Sequence, residues 1–272
     1  MGDLERDTRV EGADGRLRAQ LSREWDIWGP NGGYVAAVAL RAAGATTALR
    51  RPASFACQYL SVAQFDAVDL AVQTLRSGRR AAALRVSMTQ QQRPILEALV
   101  WVVDDTLPGL EHDVAVMPAV PPVETLASFE ELAIPGYPWF PFWNNLESRP
   151  IEPGERTAAG APIYRIWVRY RPTPTFADPF VDAARMLVAL DTMMWPAAAR
   201  GHDPTAPFQA PNMDLAVQFH RAAPTTEWLL VDAQSPIGSG GLLGCRSHVW
   251  APDGRLLATG TGQLLCRPVG AG

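Results

Sequence analysis

The strongest constraint on this chain is a run rich in alanine over residues 35–49: Ala36, Ala37, Ala39, Ala42, Ala43, Ala45 and Ala48. Alanine is the best helix former, so the run predicts a helix. So many small side chains also let that helix lie close to neighbours on most sides, as it would inside the curve of a sheet. Pro30-Asn31-Gly32-Gly33-Tyr34 leads into it. Asn31 is placed to act as the N-cap. Gly32 and Gly33 leave backbone N–H groups of the first turn uncovered, with the positive end of the helix dipole behind them. Such a terminus suits an anion or a developing oxyanion.

The order of elements around this helix occurs twice. Residues up to about 13 read as an acidic, loosely held tail, and 16–26 as a first strand. After the helix come strand-like runs at 53–60, 69–75, 81–90 and 95–103, with turns at Ser77-Gly78 and Gln92-Arg93-Pro94. Residues 105–160 form a connector in which prolines recur and Tyr137, Trp139, Phe140, Phe142 and Trp143 cluster. A free linker would be polar, so the aromatic part should pack on the protein. A second copy then begins. Residues 164–171 alternate as a strand, and Asp178-Pro179 has the form of an N-cap followed by proline at the first helical position. Phe180, Val181, Ala184, Leu187, Val188, Asp191, Met194 and Trp195 follow at helical spacing, and Pro196 should end the helix. Asp191 lies on the apolar stripe. A buried carboxylate is costly, so it should cap, pair or hydrogen-bond to something specific. Strands at 213–220, 227–233, 241–250 and 256–267 complete the copy, with Asp253-Gly254 as the clearest hairpin turn. The implied division is 1–104, a connector at 105–160, and 161–272.

Two polar positions in the second copy invite chemistry. Residues 213–220 alternate, with Met213, Leu215, Val217 and Phe219 on one face and Asp214, Ala216, Gln218 and His220 on the other. Ser235-Pro236 closes the next strand, because proline breaks the ladder. If the two strands pair antiparallel, the Asp214 carboxylate and the Ser235 hydroxyl can sit side by side.

Composition narrows the classes. The chain is 47% hydrophobic and 19% charged with a net charge of -4, and no basic block interleaves with aromatics, so a nucleic-acid partner is unsupported. Cys57, Cys245 and Cys266 lie far apart in apolar runs and read as reduced core thiols. The four histidines show no metal-ligand spacing, and neither metal nor cofactor is expected. The charged N-terminus and the absence of a membrane-length apolar run point to a cytoplasmic protein.

A long alanine-rich helix wrapped by a curved antiparallel sheet resembles the hotdog fold, and two copies resemble a double hotdog of the α+β class. Pro30-Asn31-Gly32-Gly33-Tyr34 resembles the opening of the first helix in two-hotdog acyl-CoA thioesterases of type II. Residues 213–220 resemble that family's aspartate-bearing strand. Residues 227–230 followed by Gln234-Ser235-Pro236 resemble the strand that ends in its catalytic Ser or Thr. Residues 253–258 followed by Gln263 and Arg267 resemble its last hairpin. The resemblance implies hydrolysis of fatty acyl-CoA to free acid and CoA by water held between Asp214, Ser235 and Gln263. Gln263 needs a bulge near Gly260 and Gly262 to join that face. Asn31, Gly32 and Gly33 would supply the oxyanion donors, and the family's habits imply a homo-oligomer. No cysteine or histidine stands in a nucleophile-like constellation, which fits attack by water. Arg50-Arg51 and Arg79-Arg80 are candidate contacts for coenzyme A phosphates, against the plainer reading of a solvated surface. Two rival readings stand beside hydrolysis. One is a hotdog enoyl-CoA hydratase or dehydratase, which would need a histidine beside its helical aspartate. The other is a non-catalytic acyl-CoA-binding protein.

Overall fold

The computed structural model describes residues 1–132, 139–152 and 159–269. In chain order its strands are β1 (Glu11–Ala13), β2 (Arg16–Gln20), β3 (Arg51–Tyr59), β4 (Ala67–Ser77), β5 (Ala81–Gln90), β6 (Arg93–Val103), β7 (Leu146–Pro150), β8 (Ile163–Tyr170), β9 (Phe208–Gln209), β10 (Asp214–Phe219), β11 (Trp228–Ser239), β12 (Leu242–Trp250), β13 (Leu256–Leu265) and β14 (Arg267–Pro268). The helices are α1 (Leu4–Asp7), α2 (Gly32–Ala45), α3 (Phe129–Leu132) and α4 (Pro179–Arg200). Strands β9 and β14 pair with each other. The other twelve form one antiparallel sheet in the order β1-β2-β4-β5-β6-β3-β10-β13-β12-β11-β8-β7. The two halves of the chain meet where β3 pairs with β10, Asp214 opposite Gln58 and Val217 opposite Phe55. This is the expected double hotdog with its sheets continuous.

Helix α2 is buried on nearly every side, as its alanines require. Asn31 caps it, its side chain accepting from the Tyr34 N–H at 2.9 Å. Its neighbour is α4, and two glycines set how near they come. A Cβ on Gly33 would lie 2.7 Å from the Val188 Cα, and one on Gly44 would lie 2.6 Å from the Phe180 ring. As α2 advances from 33 to 44, the contacts on α4 retreat from Asp191 to Phe180, so the helices run antiparallel. Any side chain at either glycine would overpack the contact, typically at about 1–3 kcal/mol.

Helix α4 starts as expected, with Asp178 accepting from the Phe180 N–H at 2.8 Å and Pro179 in the first turn. It does not stop at Pro196. The helix continues to Arg200, because Ala197 and Ala198 are buried in the core and the N–H of Gly201 caps the end on Ala198 and Ala199. Its fully buried Arg185 is held by Asp182 (Nη2 to Oδ1, 2.6 Å) and by the carbonyls of Pro174, Ala223 and Thr226. The Arg185 charge is thus answered, which is the condition for keeping one inside a bundle.

Two further expectations are corrected. The N-terminal tail is docked: Leu4 is buried, and Asp7 Oδ2 accepts from Trp25 Nε1 at 3.0 Å. Strand β11 passes through Pro236 to Ser239, the proline being absorbed in a bulge between Gln234 and Ile237. In the connector, Tyr137 lies outside the described residues. Phe142 and Trp143 are buried in the core, and Phe140 packs against it. Val123 and its neighbours cover Trp167, Leu230 and Trp250 on the outer face of the C-terminal half.

Candidate active site

Asp214, Ser235 and Gln263 are not brought together. Leu215, Val217 and Phe219 turn inward to the helices, so Asp214 faces the outside of the sheet. There its Oδ1 accepts from the backbone N–H of Gln263 at 3.0 Å. The register Ala216 to Thr261 continues to this pair, so Gln263 shares the outer face without any bulge near Gly260 or Gly262. Those glycines have another reason: a Cβ at Gly262 would lie 2.8 Å from Met194 Sδ, and one at Gly260 would lie 3.4 Å from Leu190. Ser235 is buried on the inner face, donating its hydroxyl to the Gly244 carbonyl at 3.2 Å. It follows Leu229, Val231 and Ala233 toward α4. None of the three faces Gly32 or Gly33.

What faces Gly33 is Asp191. The backbone N–H of Gly33 donates to Asp191 Oδ2 at 2.6 Å. Tyr59, the last residue of β3, donates its hydroxyl to Oδ1 at 3.0 Å. Asn212, two residues before β10, donates its amide to Oδ1 at 2.5 Å and to the Asp191 carbonyl at 3.2 Å. Asn31 closes the ring of contacts by donating to Thr192 Oγ1 at 3.1 Å, and Thr192 donates to the Val188 carbonyl at 2.8 Å. Asp191 and Asn212 come from the C-terminal half, and Asn31, Gly33 and Tyr59 from the N-terminal half. The sequence marked Asp191 only as a carboxylate needing partners. Asn212 lies just outside the alternating stretch, and Tyr59 carried no local signal beyond its place at a strand end.

The electrostatics are those of a held but unsettled charge. Only 6% of Asp191 is exposed. Burial pushes its pKa above the ordinary carboxylate range, against the opposing pull of the Asn212, Tyr59 and Gly33 hydrogen bonds. The start of α2 adds a favourable charge–dipole term of about 0.3–2 kcal/mol. With two donors on Oδ1 and one on Oδ2, a lone pair on Oδ2 remains open to a further donor. Among the described residues, the N–H of Gly32 beside it makes no hydrogen bond.

The rim is apolar. Trp28 sits with φ 58 at the tip of a turn closed by the Asp26–Pro30 bridge. A bulky residue in the left-handed region is uncommon and marks a place the surrounding structure dictates. It is 46% exposed, and its ring meets Trp195 at 6.3 Å and Phe140 at 6.5 Å, both edge-on. Trp195 is one helical turn beyond Asp191. Leu60 and Met213, both exposed, flank Tyr59, whose N–H bonds the Met213 carbonyl at 2.9 Å. A groove lined by Arg23, Gly29, Pro30, Gln64 and Phe65 lies along the loop that enters α2.

The arginine pairs fall elsewhere. Arg50 and Arg51 lie at the end of β3 remote from Tyr59, about 27 Å along an extended strand. Arg79 and Arg80 are exposed in the turn between β4 and β5, at that same end. Arg50 is turned to Asp178 at 3.8 Å. None of the four is beside the Asp191 cluster. Among the described residues, no group of three or more His, Cys, Asp or Glu side chains could hold a metal ion, and no helix is long and apolar enough to cross a membrane.

Comparison with known proteins agrees with this architecture. The family model for the acyl-CoA thioesterase N-terminal domain matches residues 21–103, and that for the acyl-CoA thioesterase C-terminal domain matches residues 128–266. No curated protein matches by sequence. Among solved structures, an acyl-CoA thioesterase II, TesB2, from Mycobacterium marinum superposes with a TM-score of 0.81 at 20% identity, covering 99% of this chain and 100% of that one. A tesB protein from Mycobacterium avium subsp. paratuberculosis gives 0.76 at 24% identity, over 97% and 98%. A conserved hot dog protein of unknown function from Alicyclobacillus acidocaldarius gives 0.80 at 22% identity, over 97% of both chains.

Proposed function

The chain belongs to the acyl-CoA thioesterase family, and from that premise we propose that it hydrolyses fatty acyl-CoA to the free acid and CoA with water activated by Asp191. The observation that carries this reading is the buried Asp191 carboxylate held against the N-terminus of α2 by the Gly33 N–H at 2.6 Å. Water donates one proton to the open lone pair of Oδ2. The Asn212 amide oxygen, whose nitrogen is spent on Asp191, accepts the other hydrogen and fixes the direction of attack. The hydroxide oxygen adds to the thioester carbonyl carbon, and the Gly32 N–H at the helix start faces the resulting oxyanion. Collapse of the tetrahedral intermediate breaks the C–S bond. Asp191 then returns its proton to the leaving thiolate, which balances the step as acid plus free thiol. The apolar rim of Trp28, Trp195 and Met213 suits the acyl chain.

A raised carboxylate pKa favours this role, since burial makes the ionised carboxylate a stronger proton acceptor than an exposed one. Hydration of an enoyl thioester is less suited to the site. Among the described residues no histidine contacts Asp191, whose partners are Gly33, Tyr59 and Asn212. The test is thiol release over acyl-CoA chains from short to long, with crotonyl-CoA hydration followed in parallel. Release above background that is lost in Asp191→Asn supports the reading. Hydration without thiol release, or neither activity, would overturn it and leave a hydratase or a binding protein respectively.

A further inference from the structure

The hydrolysis just described gives Tyr59 no task, yet its hydroxyl spends its only proton on Asp191 Oδ1. We propose that Tyr59 is a positioning residue, holding Oδ1 of the Asp191 carboxylate and leaving Oδ2 alone to meet water. The inference rests on Asp191 being the base.

Three observations carry it. First, the chain makes room for the contact: a Cβ at residue 32 would lie 3.4 Å from Tyr59 Cζ and 3.1 Å from Asp191 Oδ2. Glycine at 32 therefore lets the phenol and the carboxylate meet over the start of α2. Second, Tyr59 and Asn212 together occupy both lone pairs of Oδ1. Neither water nor substrate can then compete for that oxygen, and the carboxylate cannot turn. Third, the hydroxyl is a permanent donor. Burial, with the nearby Asp191 charge and Cys57, raises the Tyr59 pKa well above its ordinary value, so the hydroxyl keeps its proton through the neutral range.

The surroundings leave few other groups to set that titration. From β3, Tyr59 and Cys57 face Asp191, and the Cys57 thiol is itself pushed up by burial. From β10, Asp214 is turned to the outer face. From α2 there are only the Gly33 backbone and the Asn31 amide, and from α4 Thr192. Tyr59 and Asn212 are thus the side chains that offset the desolvation of Asp191.

The test is Tyr59→Phe, which removes the hydroxyl and keeps the ring. The kcat/KM–pH profile with an acyl-CoA substrate should show its acid limb moved up by about one to two pH units, the worth of one charge-assisted hydrogen bond. The plateau kcat should fall about tenfold with KM within about twofold, since the base is misaimed and substrate contacts are kept. Cys57→Ala disturbs the same packing without touching the carboxylate and should leave the limb in place. A Tyr59→Phe limb within about 0.3 units of wild type overturns the inference. So does a Cys57→Ala shift as large as that of Tyr59→Phe. Asp191→Asn separates the two ideas. If it is inactive while the Tyr59→Phe limb stays put, only the tyrosine's role falls. If it hydrolyses at the wild-type rate, both readings fall.

Discussion

Asp191→Asn is the substitution on which the site reading turns, and its consequences can be worked from the contacts. The asparagine oxygen can replace Oδ1 and keep the Tyr59 and Asn212 donors. Its NH₂ group then replaces Oδ2 and faces the Gly33 N–H, donor against donor, across 2.6 Å. That loses one charge-assisted hydrogen bond, about 1.5–3 kcal/mol, and a helix-start term of about 0.3–2 kcal/mol. Against this, a neutral amide escapes the desolvation cost of a buried carboxylate. The net loss at neutral pH should be about 2 kcal/mol or less, a fall in Tm of a few degrees. Turnover should drop about 10²–10⁴-fold, the usual yield of a general base, equivalent to about 2.7–5.4 kcal/mol of barrier. The pH dependence gives an independent check. The folded-state pKa of Asp191 is raised, so ionising it weakens the wild-type fold as pH rises from the ordinary carboxylate range through the raised value. The asparagine has no such loss, so the stability gap between variant and wild type should narrow from pH 4 to pH 7. Denaturant unfolding at the two pH values and thiol release at pH 7 measure both effects. A well-folded Asp191→Asn protein with wild-type turnover, or a gap that widens with pH, would refute the reasoning.

Other substitutions discriminate the parts. The acid limb of wild-type kcat/KM should lie above the ordinary carboxylate range, because the base must be ionised and burial raises its pKa; a limb at or below that range would count against Asp191. Gly33→Ala places a Cβ against the Val188 backbone, which cannot yield as a side chain would; about 1–3 kcal/mol or more should be lost in thermal unfolding. Asp214→Asn and Ser235→Ala should each keep turnover within about threefold of wild type, since neither side chain touches the Asp191 cluster. Asp182→Ala strands the fully buried Arg185 and should cost about 3–5 kcal/mol, read from denaturant unfolding.

The fold was readable in the sequence because its signals are local. The α2 alanines, the Asn31 and Asp178 caps, the strand alternation and the Asp253-Gly254 turn each report on their own few residues. The long helix after Asp178 was readable too, but its end was not: Pro196 argues locally for a stop, and the burial of Ala197 and Ala198 overrides it. The placement of Asp214, Ser235 and Gln263 was less legible, because it depends on which face of the sheet the helices cover. Alternation over residues 213–220 shows that Asp214 opposes an apolar face, but not that the polar face looks away from the helices. Ser235 stays on the inner face in step with Leu229, Val231 and Ala233, whereas the polar face of residues 213–220 is the outer one. Gly260 and Gly262 suggested a bulge, whereas they are places where α4 comes near the sheet. The partners of Asp191 lie at 33, 59 and 212. Only the cost of an unpaired buried carboxylate hinted that such partners had to exist.

The two halves are alike in plan, yet among the described residues the two helix starts differ, and the helix contacts show why only one suits the proposed site. In the antiparallel pair, the second residue of each helix meets the body of the other: Gly33 meets Asp191, and Phe180 meets Gly44. At the first crossing a glycine yields its N–H to a carboxylate from across the interface. At the second, the position facing the helix start has no side chain, and the Phe180 ring fills the space. The Phe180 N–H is already satisfied within its own chain segment by Asp178. That aspartate's charge is taken up by Arg41 at 3.1 Å and Arg50 at 3.8 Å. The α4 terminus is therefore closed by its own cap, while the α2 terminus, capped by the neutral Asn31, keeps a donor and its dipole for an anion from outside. A neutral cap on one helix and a paired, charged cap on the other is enough to make a duplicated scaffold asymmetric in chemistry. In the proposed site the halves would then have separate roles: the N-terminal half supplies the positive helix start and Tyr59, and the C-terminal half supplies Asp191 and the Asn212 amide.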